Sequence, residues 1–306
     1  MEKKTYTKAH SKGRNLLDKL YSPHRDDQGG WVVQIVGKKG SGKTAATLSF
    51  LNNALHKYPT ERVWFSECLN AALQCFKLNP DDVQLFAEKD KIVFRDRDRK
   101  MKPTNRLDVI EFTDIEDLYE KSIPGKVNVP FFETRTAWLD LVAYLTHDVG
   151  EWQHVFIDEM NELTPAGAGE VWRDNAWFSS VLKDARKSFV SLYWNTQMAE
   201  QLDWRVRKMA MMKIFLPGSQ TSNRDRTWQN SVWSLQQDDK RGNEFWIEET
   251  GGNYGKCRLT DIWKPRKGYH FDAHPTYKEG DYYCKKCDRK HKVNSRKGQE
   301  HLKYAR

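Results

Sequence analysis

Eight residues, Gly37-Lys38-Lys39-Gly40-Ser41-Gly42-Lys43-Thr44, have the types and spacing that phosphate chemistry requires. They satisfy the pattern G-x-x-x-x-G-K-[ST] at every position. Glycines let successive backbone N–H groups curve around a β-phosphate, and a helix starting at the end of the loop adds the positive pole of its dipole. On this reading Lys43 pairs with the β- and γ-phosphates of ATP, and the Thr44 hydroxyl holds Mg²⁺. Further along, the apolar run Val155-Phe156-Ile157 ends in Asp158-Glu159. Asp158 would bind the Mg²⁺ through a water, while Glu159 would orient and deprotonate an attacking water. Two adjacent acids point to hydrolysis rather than to phosphoryl transfer onto a small metabolite. A third polar strand end, Asn195-Thr196-Gln197, offers Asn195 or Gln197 as a sensor beside the γ-phosphate.

A second constellation could hold a metal. Cys284 and Cys287 form C-x2-C, and His301 follows after 13 intervening residues. Two thiolates from a turn and a histidine from a short helix over 295–305 suit a tetrahedral Zn²⁺ site. His291 is chosen as fourth ligand, with Cys257, His270 and His274 as alternatives. A module this small needs its metal to fold. The remaining cysteines, Cys68 and Cys75, suit a core as small hydrophobes, and so sparse a set argues against disulfide stapling.

These residues need elements to position them. Trp31 to Val36 reads as a buried strand, and Leu48, Leu51 and Leu55 follow at helical spacing until Pro59. Further strands are expected near Arg62–Phe65, Lys126–Phe132, His154–Ile157, Phe189–Trp194 and Met211–Leu216, with helices at Thr134–Thr146 and Asn175–Lys187. Strands alternating with helices imply an α/β fold with a parallel sheet. The polar stretch from Asn79 to Pro124 is expected to carry an inserted hairpin, Lys91–Phe94 with Leu107–Phe112, around the charged run Arg95 to Lys100. A second hairpin is expected from Ser231–Gln237 and Glu244–Ile247, with Lys256–Trp263 as a third strand. The chain therefore divides into a basic helix and linker (1–30), an ATPase core (31–230), a β-hairpin extension (231–273) and a basic zinc-binding module (274–306).

Composition sets the class. The 306 residues are 38% hydrophobic and 30% charged, with 12 tryptophans. No apolar run approaches the roughly 18–20 residues that cross a bilayer, and Met1-Glu2-Lys3-Lys4 leads into no apolar signal segment. A cytoplasmic protein is expected, unless a partner tethers it. The net charge is +9, and residues 254–306 carry 15 basic and 6 acidic groups, so the whole excess lies there. Lys285, Lys286, Arg289, Lys290, Lys292, Arg296, Lys297 and Lys303 surround the C-x2-C pair. Such a segment suits a polyanion, gripped by its phosphates without sequence readout.

From Arg186 to Thr196-Gln197 the chain resembles the R-(x9)-T-Q segment of the FtsK–HerA superfamily of DNA-pumping ATPases. That group includes viral genome-packaging ATPases and the Zot-like assembly ATPases of filamentous phages. The resemblance spans about Trp31 to Gly218 and implies a RecA-like P-loop core with a mainly parallel sheet. It implies Gln197 as the nucleotide sensor. It also implies that Arg205 or Arg207 reaches a neighbouring subunit's site, hence a homo-oligomeric ring acting on double-stranded DNA. Phe189-Val190-Ser191 stands where the FtsK form has Gly-Ile-His. Absence of a spanning segment favours genome packaging, with a portal or capsid partner, over a membrane-anchored motor. The alternatives are a Zot-like assembly or secretion ATPase at a membrane and a nucleotide-switched nucleic-acid-binding protein.

Overall fold

A computed structural model describes residues 2–22, 24–25, 29–67, 73–95, 108–219, 244–265, 274–277, 281–284 and 289–292. Helix α1 (Glu2–Leu20) precedes strand β1 (Val32–Val36), and α2 (Lys43–Lys57) leads to β2 (Arg62–Ser66). Strands β3 (Val83–Glu88), β4 (Ile92–Arg95) and β5 (Val109–Phe112) follow, then α3 (Ile115–Lys121), β6 (Val127–Phe131), α4 (Arg135–His147) and β7 (Gln153–Ile157). The short α5 (Met160–Leu163) and long α6 (Glu170–Ala185) precede β8 (Val190–Thr196), α7 (Trp204–Met209) and β9 (Met212–Phe215). The chain continues through β10 (Glu244–Glu249), β11 (Tyr254–Arg258), β12 (His274–Tyr277), β13 (Asp281–Cys284) and β14 (Arg289–Lys292).

Ten strands form one sheet in the order β11-β10-β9-β1-β8-β7-β2-β6-β3-β5. The pairs from β9 to β5 are parallel, and β10 and β11 add antiparallel strands at one edge. This is an α/β fold with a mostly parallel sheet. β1, β6, β7 and β8 are buried along their whole length, as parallel strands covered on both faces must be. Two apolar cores result. On one face Leu16, Leu17 and Leu20 of α1 and Leu48 and Leu51 of α2 meet Val33, Ile35, Phe156 and Tyr193. On the other, Leu139 and Val142 of α4 and Phe178, Val181 and Leu182 of α6 meet Val32, Val155, Ile157, Leu192 and Trp194.

α1 crosses β11 at very close range. A Cβ on Gly13 would stand 2.3 Å from the Lys256 carbonyl oxygen, and one on Gly255 would stand 2.1 Å from the Gly13 nitrogen. Only two glycines permit that approach. Among the described residues no helix is long and apolar enough to cross a membrane.

The expected strand–loop–helix and the five further core strands are present, while α6 starts at Glu170 rather than Asn175. The inserted hairpin is not. β4 pairs antiparallel with β12, 180 residues later, and β5 pairs parallel with β3. The unexpected β3 takes the place next to β6, because Leu85, Phe86 and Ala87 bury their side chains there. The charged run from Asp96 lies outside the described residues. In the second expected hairpin, β10 pairs with β11 across Thr250-Gly251-Gly252-Asn253; the arm at 231–237 lies outside the described residues.

Candidate nucleotide site

β1 runs between β8 and β9, and the loop leaves it where the Gly37 N–H donates to the Thr196 carbonyl at 3.2 Å. Gly40 (φ +80°) and Gly42 (φ +95°) occupy left-handed conformations that a side chain would strain. Gly42 sits directly before α2, so the loop turns onto the helix's N-terminus. Lys43, the first helical residue, is only 6% exposed. Its Nζ lies 3.4 Å from the Lys38 carbonyl and 3.7 Å from Glu159 Oε1. A buried ammonium needs such partners. The Ser41 hydroxyl is buried and finds no hydrogen-bond partner among the described residues.

β7 delivers Asp158 beside this loop. The Asp158 N–H donates to the Ser66 carbonyl of β2 at 3.1 Å, and the Thr44 hydroxyl donates to Asp158 Oδ1 at 3.2 Å. Burial pushes the Asp158 carboxyl up; the Asn195 hydrogen bond opposes this, and nearby Glu159 adds to it. Glu159 adopts φ +54°, ψ +61°, a left-handed conformation that costs a non-glycine residue backbone strain.

Asn195 ties the pieces together. Its amide donates to Asp158 Oδ1 and, at 3.0 Å, to Thr47 Oγ1 of α2, while its Oδ1 accepts from the Glu159 N–H at 3.1 Å. Two residues later Gln197 Nε2 donates to Glu159 Oε1 at 2.9 Å. Of the two sensor candidates, Asn195 therefore contacts the Mg²⁺-ligand candidate and Gln197 the candidate base. Glu159 Oε2 is buried and has no hydrogen-bond partner among the described residues.

The sequence reading passed over Glu67. It follows β2 directly, is 5% exposed, and accepts a hydrogen bond from the Gln74 N–H. Burial, with Asp158 nearby, raises its carboxyl to about 8. The signal was close to the one that marked Asp158, an acid one residue beyond the apolar run Val63-Trp64-Phe65, after Ser66.

The sequence matches no protein-family model and no curated protein. Among solved structures it is similar to the genome packaging NTPase B204 from Sulfolobus turreted icosahedral virus 2 in complex with sulfate, with TM-score 0.49, 13% identity, and 74% of this chain and 95% of that one covered. It is similar to the pCW3 conjugation coupling protein TcpA (TM-score 0.41, 11% identity, 74% and 59% covered). It is also similar to the N-terminal domain of zonular occludens toxin from Neisseria meningitidis (TM-score 0.35, 14% identity, 78% and 95% covered). At these scores only the chain's own residues bear on its activity.

Lys43, Thr44, Asp158, Glu159 and Gln197 thus share one site at the carboxyl ends of β1, β7 and β8, where open α/β sheets bind ligands. Arg205 lies instead in a clamp: its Nε and Nη2 donate to Asp203 at 3.0 and 2.7 Å, and its guanidinium stacks 4.4 Å above Trp172. Arg207 is 4% exposed. Of the metal-module residues, Cys284 ends β13 and His291 lies in β14, in register as Cys284↔Arg289 and Tyr282↔His291. Cys287 and His301 lie outside the described residues. Cys257 packs in the apolar core, where burial raises its thiol to about 12. Cys75 is buried there too; Cys68 lies outside the described residues.

Proposed function

We propose that the chain is an ATP-hydrolysing motor of the FtsK–HerA type that moves double-stranded DNA, with viral genome packaging as its setting. One observation carries this reading: the buried Lys43 on a glycine cradle faces the adjacent acids Asp158 and Glu159, and Asn195 and Gln197 join the two halves. The buried, unpartnered Ser41 hydroxyl and the two acids beside Lys43 suit a phosphate chain carrying a divalent cation.

In this reading Lys43 leaves Glu159 for the phosphates when nucleotide enters. Glu159 is then released from its ion pair, stays oriented by Gln197, and takes the proton of the attacking water. Thr44 and Asp158 would hold Mg²⁺, which when bound neutralises charge on the phosphates. Gln197, bonded to the base, links occupancy at the γ-phosphate to the end of β8. Arg205, the more exposed of the two arginines, is the proposed group acting across a subunit boundary, with Arg207 behind it. The basic tail would grip DNA phosphates. Zn²⁺ is proposed at Cys284, Cys287, His291 and His301, on the C-x2-C spacing and the two histidines that follow it.

Steady-state ATP turnover with and without double-stranded DNA tests the assignment. Stimulation by DNA is expected, and indifference to DNA would count for an assembly ATPase or a switch. Lys43→Ala should abolish turnover. Glu159→Gln should bind ATP but hydrolyse it about 10²–10⁴-fold more slowly; unchanged turnover in that variant would remove Glu159 as the base.

A further inference from the structure

At the opposite end of the sheet from the nucleotide site, His24, Glu61 and His154 converge. His154 is the second residue of β7, Glu61 directly precedes β2, and His24 bridges to Gly30 just ahead of β1. Their donor atoms all lie within 4.8 Å of one another. His24 Nε2 stands 2.9 Å from Glu61 Oε2, and His154 Nε2 meets the same oxygen. The cluster is held stiffly. The His24 ring stacks on Trp152 with centroids 3.8 Å apart and lies 4.1 Å from the Tyr58 ring, while the His154 side chain is fully buried. His24 and Glu61 keep 24% and 15% of their side-chain surface in solvent, so an ion can reach them.

We propose that His24, Glu61 and His154 form a binding site for a divalent transition-metal ion, Zn²⁺ by the chemistry of its ligands. Two imidazoles and one carboxylate are a Zn²⁺ donor set that leaves a fourth position open, and hard cations such as Mg²⁺ prefer oxygen alone. Bonds of about 2.0–2.2 Å put tetrahedral ligands roughly 3.4 Å apart, so small side-chain shifts at the partly exposed His24 and Glu61 admit the ion. The site is separate from the catalytic one, since His154 and Asp158 are four residues apart on one strand, about 13 Å. Its bonds would clip three stretches of chain together: the segment after α1, the approach to β2, and β7. The motor's N-terminal segment would thereby be fixed to its sheet by metal.

The test uses the full chain with Cys284→Ser and Cys287→Ser, which removes both thiolates of the C-terminal zinc candidate. The protein is stripped of metal, kept in excess Mg²⁺, and titrated with Zn²⁺ against a chromophoric chelator. One Zn²⁺ per chain is expected, with a thermal midpoint that rises with Zn²⁺. His24→Asn and Glu61→Gln should each weaken binding by more than the roughly 10–100-fold that loss of an outer-shell partner costs. His24 is partly exposed, so His24→Asn should fold even where His154→Gln does not. No Zn²⁺ on a folded chain, or unchanged affinity in both variants, would leave only a hydrogen-bonded triad and overturn the proposal. If the Cys284→Ser, Cys287→Ser background does not fold, zinc content of the natural chain must fall by one per chain in both variants; an unchanged count overturns the proposal equally.

Discussion

The Asn195 amide is fully buried and makes three hydrogen bonds that join α2, Asp158 and the strained Glu159 backbone. Asn195→Ala would leave the Glu159 N–H without its acceptor, and an orphaned buried group costs about 1–3 kcal/mol. Denaturant unfolding should show a loss of that size, and kcat should fall more than KM changes. A KM effect alone would mean that Asn195 merely shapes the nucleotide pocket. Glu67 makes a pH prediction. Its carboxyl ordinarily titrates near 4.5 and here at about 8. Between those values the folded chain keeps a proton that the unfolded chain releases, so this group's contribution to stability is full below about 4.5 and falls as pH rises through about 8. Unfolding of the nucleotide-free protein across that window should therefore show stability falling with pH, and Glu67→Gln should flatten the slope. An identical slope in the variant would place the titration elsewhere.

Among the elements, α1 is the one whose seat is set by backbone rather than side chains. Gly13→Ala would gain up to about 1 kcal/mol of helix propensity. It would also drive a methyl into the Lys256 carbonyl, and overpacking of this kind costs about 1–3 kcal/mol. The second term is expected to win, lowering the thermal midpoint; a raised midpoint would show that α1 can lift from β11 at no cost. The elements also explain what the sequence could disclose. The loop, its strand and its helix were legible because their signals are local: glycines at fixed offsets, apolar runs and Pro59 as a stop. Asp158 was legible as an acid at the end of such a run. The pairing of β4 with β12 was not, because register between segments 180 residues apart leaves no mark within either one. β3 hid among polar neighbours, Gln84 and Glu88, that lie at the rim of the buried Leu85-Phe86-Ala87. The role of Asn195 was hidden for a similar reason: an amide gains three partners only when β8 is laid between β1 and β7.

For the whole molecule, the ring is the expectation that tests everything else. Arg205 is tied to Asp203 and stacked on Trp172 in the single chain, and Trp172 and Trp204 beside it are 53% and 44% exposed. If Arg205 serves a neighbour, mixing Arg205→Ala with Lys43→Ala protein should restore part of the ATP turnover that each lacks alone. One of the two orders of mixed neighbours then pairs an intact loop with an intact arginine. Activity that never exceeds the sum of the separate variants would confine Arg205 to its own chain. The pairing of β12 with β4 has a consequence for the tail. Only three residues separate β12 from β13, and extended chain spans at most about 3.6 Å per residue. The basic ribbon is therefore leashed within roughly 15 Å of the β4–β12 pair. DNA held by that ribbon would meet its own motor at an effective concentration set by this leash rather than by bulk solution, of millimolar order for short tethers. If the chain is the proposed motor, one so leashed need not find its track again after each release.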